Sequence, residues 1–321
     1  MIALFLLVLY STSCGVHSEG QHVHIEPLTD NVLVLKVLSG VDNKVYVPLT
    51  CGAAYQTQSV FWKKDGMELD PPLQGNQVRV LVEQMDGGNY TCHLGPDGQY
   101  LNHTVILVQM DSDNRSLILE EMSPTEGHIH CSAPNYKGDF HCTWKRTQYR
   151  SHAAVLLVKA IRNFEQIPCQ LDADGSGVHC QDVNCPFREE QLRIYLTVYI
   201  HSFSRLEVYT KVFYLREIVK PSKLSNLHLS DGNVFSWNYP DSWETPRTYF
   251  ALQFQVKVIN HGHPCNTEEN VALHNITEDT TYKVDVQRKR YIFCVRAQDK
   301  YTNGPWSHWT HCTVNRNKVQ C

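Results

Sequence analysis

The sequence lacks several features that would place it elsewhere. Beyond its first residues it has no apolar run of the roughly 18 residues that a membrane-crossing helix requires. It has no excess of positive charge: 29 lysines and arginines stand against 33 aspartates and glutamates, a net charge of −4. That balance argues against nucleic acid as the main partner, since such a partner calls for a basic face. Gly-x-Ser-x-Gly, His-Glu-x-x-His and phosphate-loop motifs are missing, so no enzyme activity, catalytic site or cofactor is expected. The 17 histidines are dispersed, and no metal site is expected. His22 and His24 read as solvated positions near the start of the mature chain. Asp172-Ala173-Asp174-Gly175-Ser176-Gly177 opens like a calcium loop, but Val183 stands where the twelfth-position glutamate belongs, and the segment reads as a turn. No long stretch carries a helical period with caps.

What is present points to an extracellular, disulfide-bonded chain. Ile2 to Tyr10 is apolar but too short to span a bilayer, and Val16-His17-Ser18 is a cleavage site, so residues 1–18 read as a secretory signal. The end, Asn315-Arg316-Asn317-Lys318-Val319-Gln320-Cys321, is polar, and no lipid-anchor tail is expected. The reading is a secreted protein without a membrane anchor. Of 12 cysteines, Cys14 lies in the signal; the remaining number is odd, so in an oxidising compartment one thiol is left without an intrachain partner. Sequons at Asn89, Asn102, Asn114 and Asn275 mark surface positions that accept sugar.

Short runs of period two, separated by Gly, Pro, Asn and Asp, dominate the chain. Val32 to Val37, the series Ile194, Leu196, Val198 and Ile200, and the series Phe250, Leu252, Phe254, Val256 and Val258 are examples. This pattern gives an all-β fold of consecutive sandwiches, and 321 residues suit two or three domains. Residues 22–109 carry Cys51, Trp62 and Cys92 at the spacing of an immunoglobulin-like sandwich. Tyr90 there stands as the corner tyrosine, whose hydroxyl returns to upstream backbone. In residues 110–219, Cys131 with Cys142 and Cys169 with Cys180 are the economical short-range pairs, and Trp144 follows the first. Cys185 then remains in a polar loop, as an interchain bond or as a free or capped thiol. Residues 220–314 open at Lys220-Pro221, and 315–321 form a tail. Alternation in Tyr291–Ala297 turns Tyr291, Phe293 and Val295 to the core and Cys294 and Arg296 outward. Trp306 and Trp309, read on the following strand, would then stack with Arg290 and Arg296 as a scaffold ladder rather than a contact surface.

These residues carry a resemblance. Cys131…Cys142-x-Trp144 and Trp306-Ser307-His308-Trp309, behind an immunoglobulin-like domain, resemble the class I cytokine receptors. Asn135-Tyr136-Lys137-Gly138, Trp237-Asn238-Tyr239-Pro240-Asp241, Tyr249-Phe250 and Val295-Arg296-Ala297-Gln298-Asp299 are similar to the beta-subunit family shared by interleukin-12 and interleukin-23. The resemblance implies two fibronectin type III sandwiches after the immunoglobulin-like one. It implies capture of a four-helix cytokine alpha subunit at the elbow between them, in a disulfide-linked heterodimer that meets a cell-surface class I cytokine receptor. Tyr136, Glu189, Tyr249, Asp299 and Tyr301 match the family's elbow, with Asp299 as acceptor for a basic anchor from the partner, and Cys185 matches its interchain cysteine. Homodimerisation through Cys185 is left open. The sequence departs from the family at Thr310, where serine is expected, and at the third-domain bridge. The bridge's first cysteine would match Gln287, and the pairing of Cys265, Cys294, Cys312 and Cys321 stays open. Two other functions fit the same modules: a soluble receptor or decoy that binds a cytokine reversibly, and an adhesion or matrix protein using Gln287-Arg288-Lys289-Arg290 on a heparin-like polymer.

Overall fold

The computed structural model describes residues 24–38, 44–110, 116–269, 271–286, 289–316 and 318–321. The signal segment 1–18, Cys14, His22, Asn114 and Gln287-Arg288 lie outside them. Two compact units divide between Ser112 and Asp113. Strands make up nearly all the regular structure, and the α-helix Leu215–Ile218 is a single turn. Among the described residues no helix is long and apolar enough to cross a membrane.

In the first unit, Val60–Lys64, Gly88–Leu94 and Tyr100–Met110 form consecutive antiparallel neighbours, and Val32–Val37 runs parallel to the last of them. Lys44–Thr50 pairs with Gln77–Glu83 in a second sheet. Alternation in Gly88–Leu94 turns Tyr90 and Cys92 inward, and Cys92 is bonded to Cys51 with the α-carbons 6.0 Å apart. Trp62 is buried in the same cluster and donates its indole N–H to the Gly75 carbonyl at 3.0 Å. Closing about 40 residues, the bridge contributes roughly 4 kcal/mol in the chain-entropy account. Beside Tyr90, the Lys64 ammonium lies 5.7 Å from the ring centre and bonds Asp86 at 2.6 Å.

The second unit contains two sandwiches. In the first, Glu165–Ile167, Ala154–Arg162, Ile194–Ser202 and Arg205–Phe213 lie side by side. They face a four-stranded sheet of Cys169–Leu171, Gly177–Gln181, Asp139–Thr143 and His130–Ser132. Ile194, Leu196, Val198 and Ile200 are all fully buried, as their period of two requires. Cys131 is paired with Cys142, and Cys169 with Cys180. In each case the two cysteines are direct cross-strand neighbours.

The second sandwich sets Ser225–Ser230, Val234–Asn238 and Thr281–Lys283 against a five-stranded sheet. That sheet is built on Leu252–Asn260, Arg290–Asp299 and Thr310–Asn315. Phe235 stacks on Phe293 at 3.9 Å, and Trp237 meets Phe254 edge-on at 5.4 Å. Phe250, read as the start of a strand, precedes it. The four open cysteines pair as Cys265–Cys294 and Cys312–Cys321. Cys294 leaves the main core as expected, yet it is buried, because it packs with Ile259, Cys265 and Trp309 on the outer face of the sheet.

The tryptophan ladder covers that outer face, with a membership that differs from the sequence reading. Trp306 and Trp309 lie just before Thr310–Asn315 rather than on it. The Arg296 guanidinium carbon lies 5.0 Å from the Trp306 ring centre and 4.4 Å from that of Trp309. Arg290 is exposed at the far end of its strand, opposite Asn315, away from the indoles. Its place is taken by Lys257, 5.4 Å from the Trp309 ring centre. Lys257 is buried and donates to the Thr267 carbonyl at 2.8 Å. Two cations beneath the indoles therefore bury the outer face of Leu252–Asn260, so this strand does not alternate in exposure. The Thr310 hydroxyl donates to the Leu224 carbonyl at 3.3 Å.

One buried charge cluster ties the connector helix to the first sandwich. The Glu190 carboxylate accepts from Arg162 at 2.5 Å and from the Leu215 and Arg216 backbone N–H groups at 2.8 and 2.9 Å. Arg162 also pairs with Asp182 at 2.7 Å. Burial pushes the Glu190 carboxyl above its ordinary value, against the pull of those donors. Glu190→Ala leaves Arg162 and two helix N–H groups short of an acceptor. The expected loss is about 3–5 kcal/mol, read as a lower denaturant midpoint for the unit that begins at Asp113.

Candidate functional site

Four loops of the second unit meet where its two sandwiches join. Asn135-Tyr136-Lys137 and Pro186-Phe187-Arg188-Glu189 come from the first sandwich; Trp243 to Phe250 and Asp299 to Thr302 come from the second. Their seam is aromatic. Tyr136 lies 5.5 Å from Phe250 and 6.0 Å from Trp243, centre to centre, and Phe187 meets Phe250 edge-on at 5.6 Å. The Asn135 amide donates to the Ser242 carbonyl at 3.2 Å. Lys137 pairs with Glu244 at 3.5 Å. Close contact fixes the chain here: a Cβ at Gly138, whose φ is 96°, would come 2.1 Å from the Asp182 carbonyl oxygen.

The structure brings the five expected elbow residues together but gives them two different roles. Tyr136 and Asp299 are fully buried. The Tyr136 hydroxyl donates to Asp299 Oδ2 at 3.1 Å, and Asp299 Oδ1 accepts from the Tyr301 and Thr302 N–H groups at 2.8 and 3.2 Å. Asp299 is therefore not an acceptor offered to a partner's arginine; both its oxygens are committed within the chain, out of reach of solvent. Burial also pushes the Tyr136 hydroxyl well above its ordinary pKa, which keeps it a donor.

Glu189 and Tyr301 are exposed, and Tyr249 is half-buried. Tyr249 donates its hydroxyl to Glu189 at 3.1 Å. Arg188, which the sequence reading passed over, lies between these rings: its guanidinium carbon is 4.0 Å from the Tyr249 centre and 4.7 Å from that of Tyr301. A basic group of the chain itself thus fills the space between the two rings. Its only signal in the sequence is its position beside Glu189. What remains at the surface is Phe187, Glu189 and the outer faces of Tyr249 and Tyr301 around a captive cation. That set is suited to recognition by apolar and aromatic contact with one acidic point.

Cys185 lies two residues before Phe187 and is the free cysteine among the described residues. It is half-buried, packed against the core of this unit, rather than open in a solvated loop. Burial pushes its thiol up to about 11, so very little thiolate is present at neutral pH. Of the sequons, Asn89 and Asn275 are exposed. Asn102 is half-buried, and its side-chain amide donates to the Cys51 carbonyl at 3.1 Å.

Residues 126–202 match the family described as cytokine interleukin-12p40 C-terminus. The chain is 30% identical over 293 residues to interleukin-12 subunit beta of Sigmodon hispidus, covering 84% of this chain and 86% of the relative. It is 30% identical over 289 residues to the subunit of the same name from Homo sapiens, covering 82% and 84%. With that of Papio anubis it shares 31% identity over 261 residues, covering 73% and 76%.

Two measurements probe the site's chemistry. Alkylation of Cys185 should keep accelerating as pH rises past 9.5, where an ordinary thiol with a pKa of about 8.5 has levelled off; a plateau below pH 9 would contradict the burial. Arg188→Ala should lower stability by about 1–3 kcal/mol, from three lost cation–π contacts, to Tyr249, Phe250 and Tyr301, and raise the nitration rates of Tyr249 and Tyr301.

Proposed function

The chain belongs to the interleukin-12 subunit beta family, and on that premise we propose that it is the receptor-like subunit of a secreted heterodimeric cytokine. It captures a four-helix alpha subunit at the elbow between its two fibronectin-type sandwiches, and the pair signals through a cell-surface class I cytokine receptor. The observation that carries the reading is the surface made by Phe187, Glu189, Tyr249 and Tyr301 around Arg188. Aromatic residues, arginine and one acid, held on a rigid seam, have the composition of a hot spot. The partner's basic side chain meets Glu189, which is exposed, in place of the buried Asp299.

Cys185 converts this complex into a covalent one. Because its thiol is half-buried and held protonated, capture precedes the bond, which forms to a cysteine sulfur of the alpha subunit as the oxidising extracellular pathway takes up two electrons and two protons. The same burial supports a second reading, in which the elbow holds a cytokine reversibly as a soluble receptor does and Cys185 stays reduced.

Electrophoresis with and without reductant separates the two. The chain is co-expressed with candidate helical subunits, as itself and as Cys185→Ser. A covalent heterodimer that becomes non-covalent in the variant supports the cytokine-subunit reading. A complex equally non-covalent in both supports reversible capture, and secretion with no helical partner counts against both. Tyr301→Ala should weaken capture by about tenfold or more, measured on the Cys185→Ser background so that affinity is read without the disulfide.

A further inference from the structure

Two histidines and an aspartate, none of them part of the elbow, converge on the outer face of the first fibronectin-type sandwich. His141 and His179 stand directly opposite one another on the antiparallel strands Asp139–Thr143 and Gly177–Gln181. Their neighbours Phe140, Cys142, Val178 and Cys180 are buried, so alternation sends both imidazoles outward. The rings stack with centres 3.8 Å apart and planes 8° from parallel. Asp172, in the turn after Cys169–Leu171, reaches both. Its Oδ2 is 2.9 Å from His141 Nε2, and its Oδ1 is 3.6 Å from His179 Nε2.

The turn holds the carboxylate in place. The Asp172 N–H donates to the Gly177 carbonyl, and the Gly175 N–H donates to the Asp172 carbonyl, both at 2.9 Å. Gly177 leaves the room they share: a Cβ there would lie 2.5 Å from Asp172 Oδ2 and 2.9 Å from His141 Nε2. The three potential ligand atoms all lie within 4.8 Å of one another.

We propose that His141, Asp172 and His179 form a Zn2+ site. Two imidazole nitrogens and one carboxylate oxygen are a donor set that Zn2+ accepts. Tetrahedral bonds of about 2.0–2.1 Å place neighbouring ligand atoms roughly 3.3–3.4 Å apart. The two nitrogen–oxygen separations, 2.9 and 3.6 Å, bracket that value. The stacked rings are nearly parallel and one ion cannot lie in both ring planes, so the site closes when the His179 ring turns out of the stack. Its side chain, 68% exposed, is free to do so. Three protein ligands leave a fourth position for water or for a donor from another protein. The bland alternative is a carboxylate that merely orients two imidazoles, which would show no affinity for the ion. The dispersed histidines of the sequence gave no sign of this site, because its members lie on different strands and meet only through strand register.

The test uses the full secreted chain, stripped with chelator and titrated with Zn2+ by equilibrium dialysis at pH 7.4. The expected result is one Zn2+ per chain. His141→Gln and His179→Gln should each weaken it more than about tenfold. Because His179 is exposed, His179→Gln should leave the metal-free melting temperature unchanged, which separates a lost ligand from a lost fold. Failure to bind Zn2+, or equal binding by the His141→Gln/His179→Gln double variant, overturns the proposal.

Discussion

The second unit depends on one buried carboxylate. Glu190 ends the loop that carries Cys185, Phe187, Arg188 and Glu189, and it accepts hydrogen bonds from the first turn of the helix between the two sandwiches. Arg162 holds it from the sheet side and holds Asp182 at the start of the same loop. The loop is thus clamped at both ends, and the connector is clamped to the loop. Two further backbone bonds, Ala133 N–H to Ile218 O and Lys220 N–H to Ala133 O, at 3.0 and 2.7 Å, tie the connector to the segment leading to Tyr136. The elbow is therefore an extension of the core and needs no partner to bring its loops together. Such a buried cluster costs desolvation and need not add net stability; here it fixes where four loops meet.

In the frame fixed in this way the polar groups at the centre of the seam are paired within the chain. Tyr136 and Asp299 close the seam from within, and Arg188 fills the aromatic slot from the edge. What the seam leaves at its surface is apolar and aromatic contact area, with Glu189 as an exposed acidic point.

Much of this was legible in the sequence, and what was not has a common cause. Period-two runs mark strands because alternation is a property of one strand alone. The Cys-Trp-Cys spacing and the two pairs with ten residues between their cysteines are also local, since each reflects one sandwich or one pair of adjacent strands. Cys265–Cys294 was not readable, because it depends on how separate strands align; Cys312–Cys321 is local, nine residues apart across adjacent strands, and stayed open because four cysteines compete there. The burial of Asp299 depends on Tyr136 from the other sandwich, and the burial of Lys257 on an indole some 50 residues later. Asp299 read as an acceptor open to a partner, and at both positions an element remote in sequence covers the charge. The family resemblance brought the five elbow residues to one place but could not say which face of the seam each occupies.

The two short bridges of the first fibronectin-type sandwich have a consequence of another kind. Cys131–Cys142 and Cys169–Cys180 each join residues that already face each other across a pair of strands. Loops this small remove comparatively little freedom from the unfolded chain. What they remove is the chance of slippage. In strands as short as His130–Ser132 and Cys169–Leu171, a shift by one residue would turn the outer row inward, and a covalent bond forbids it. Side chains on the outer row are thereby relieved of any duty to specify alignment. Such a face can change its chemistry from one relative to another while the sheet beneath stays the same, which makes it a place where new binding properties arise without risk to the fold.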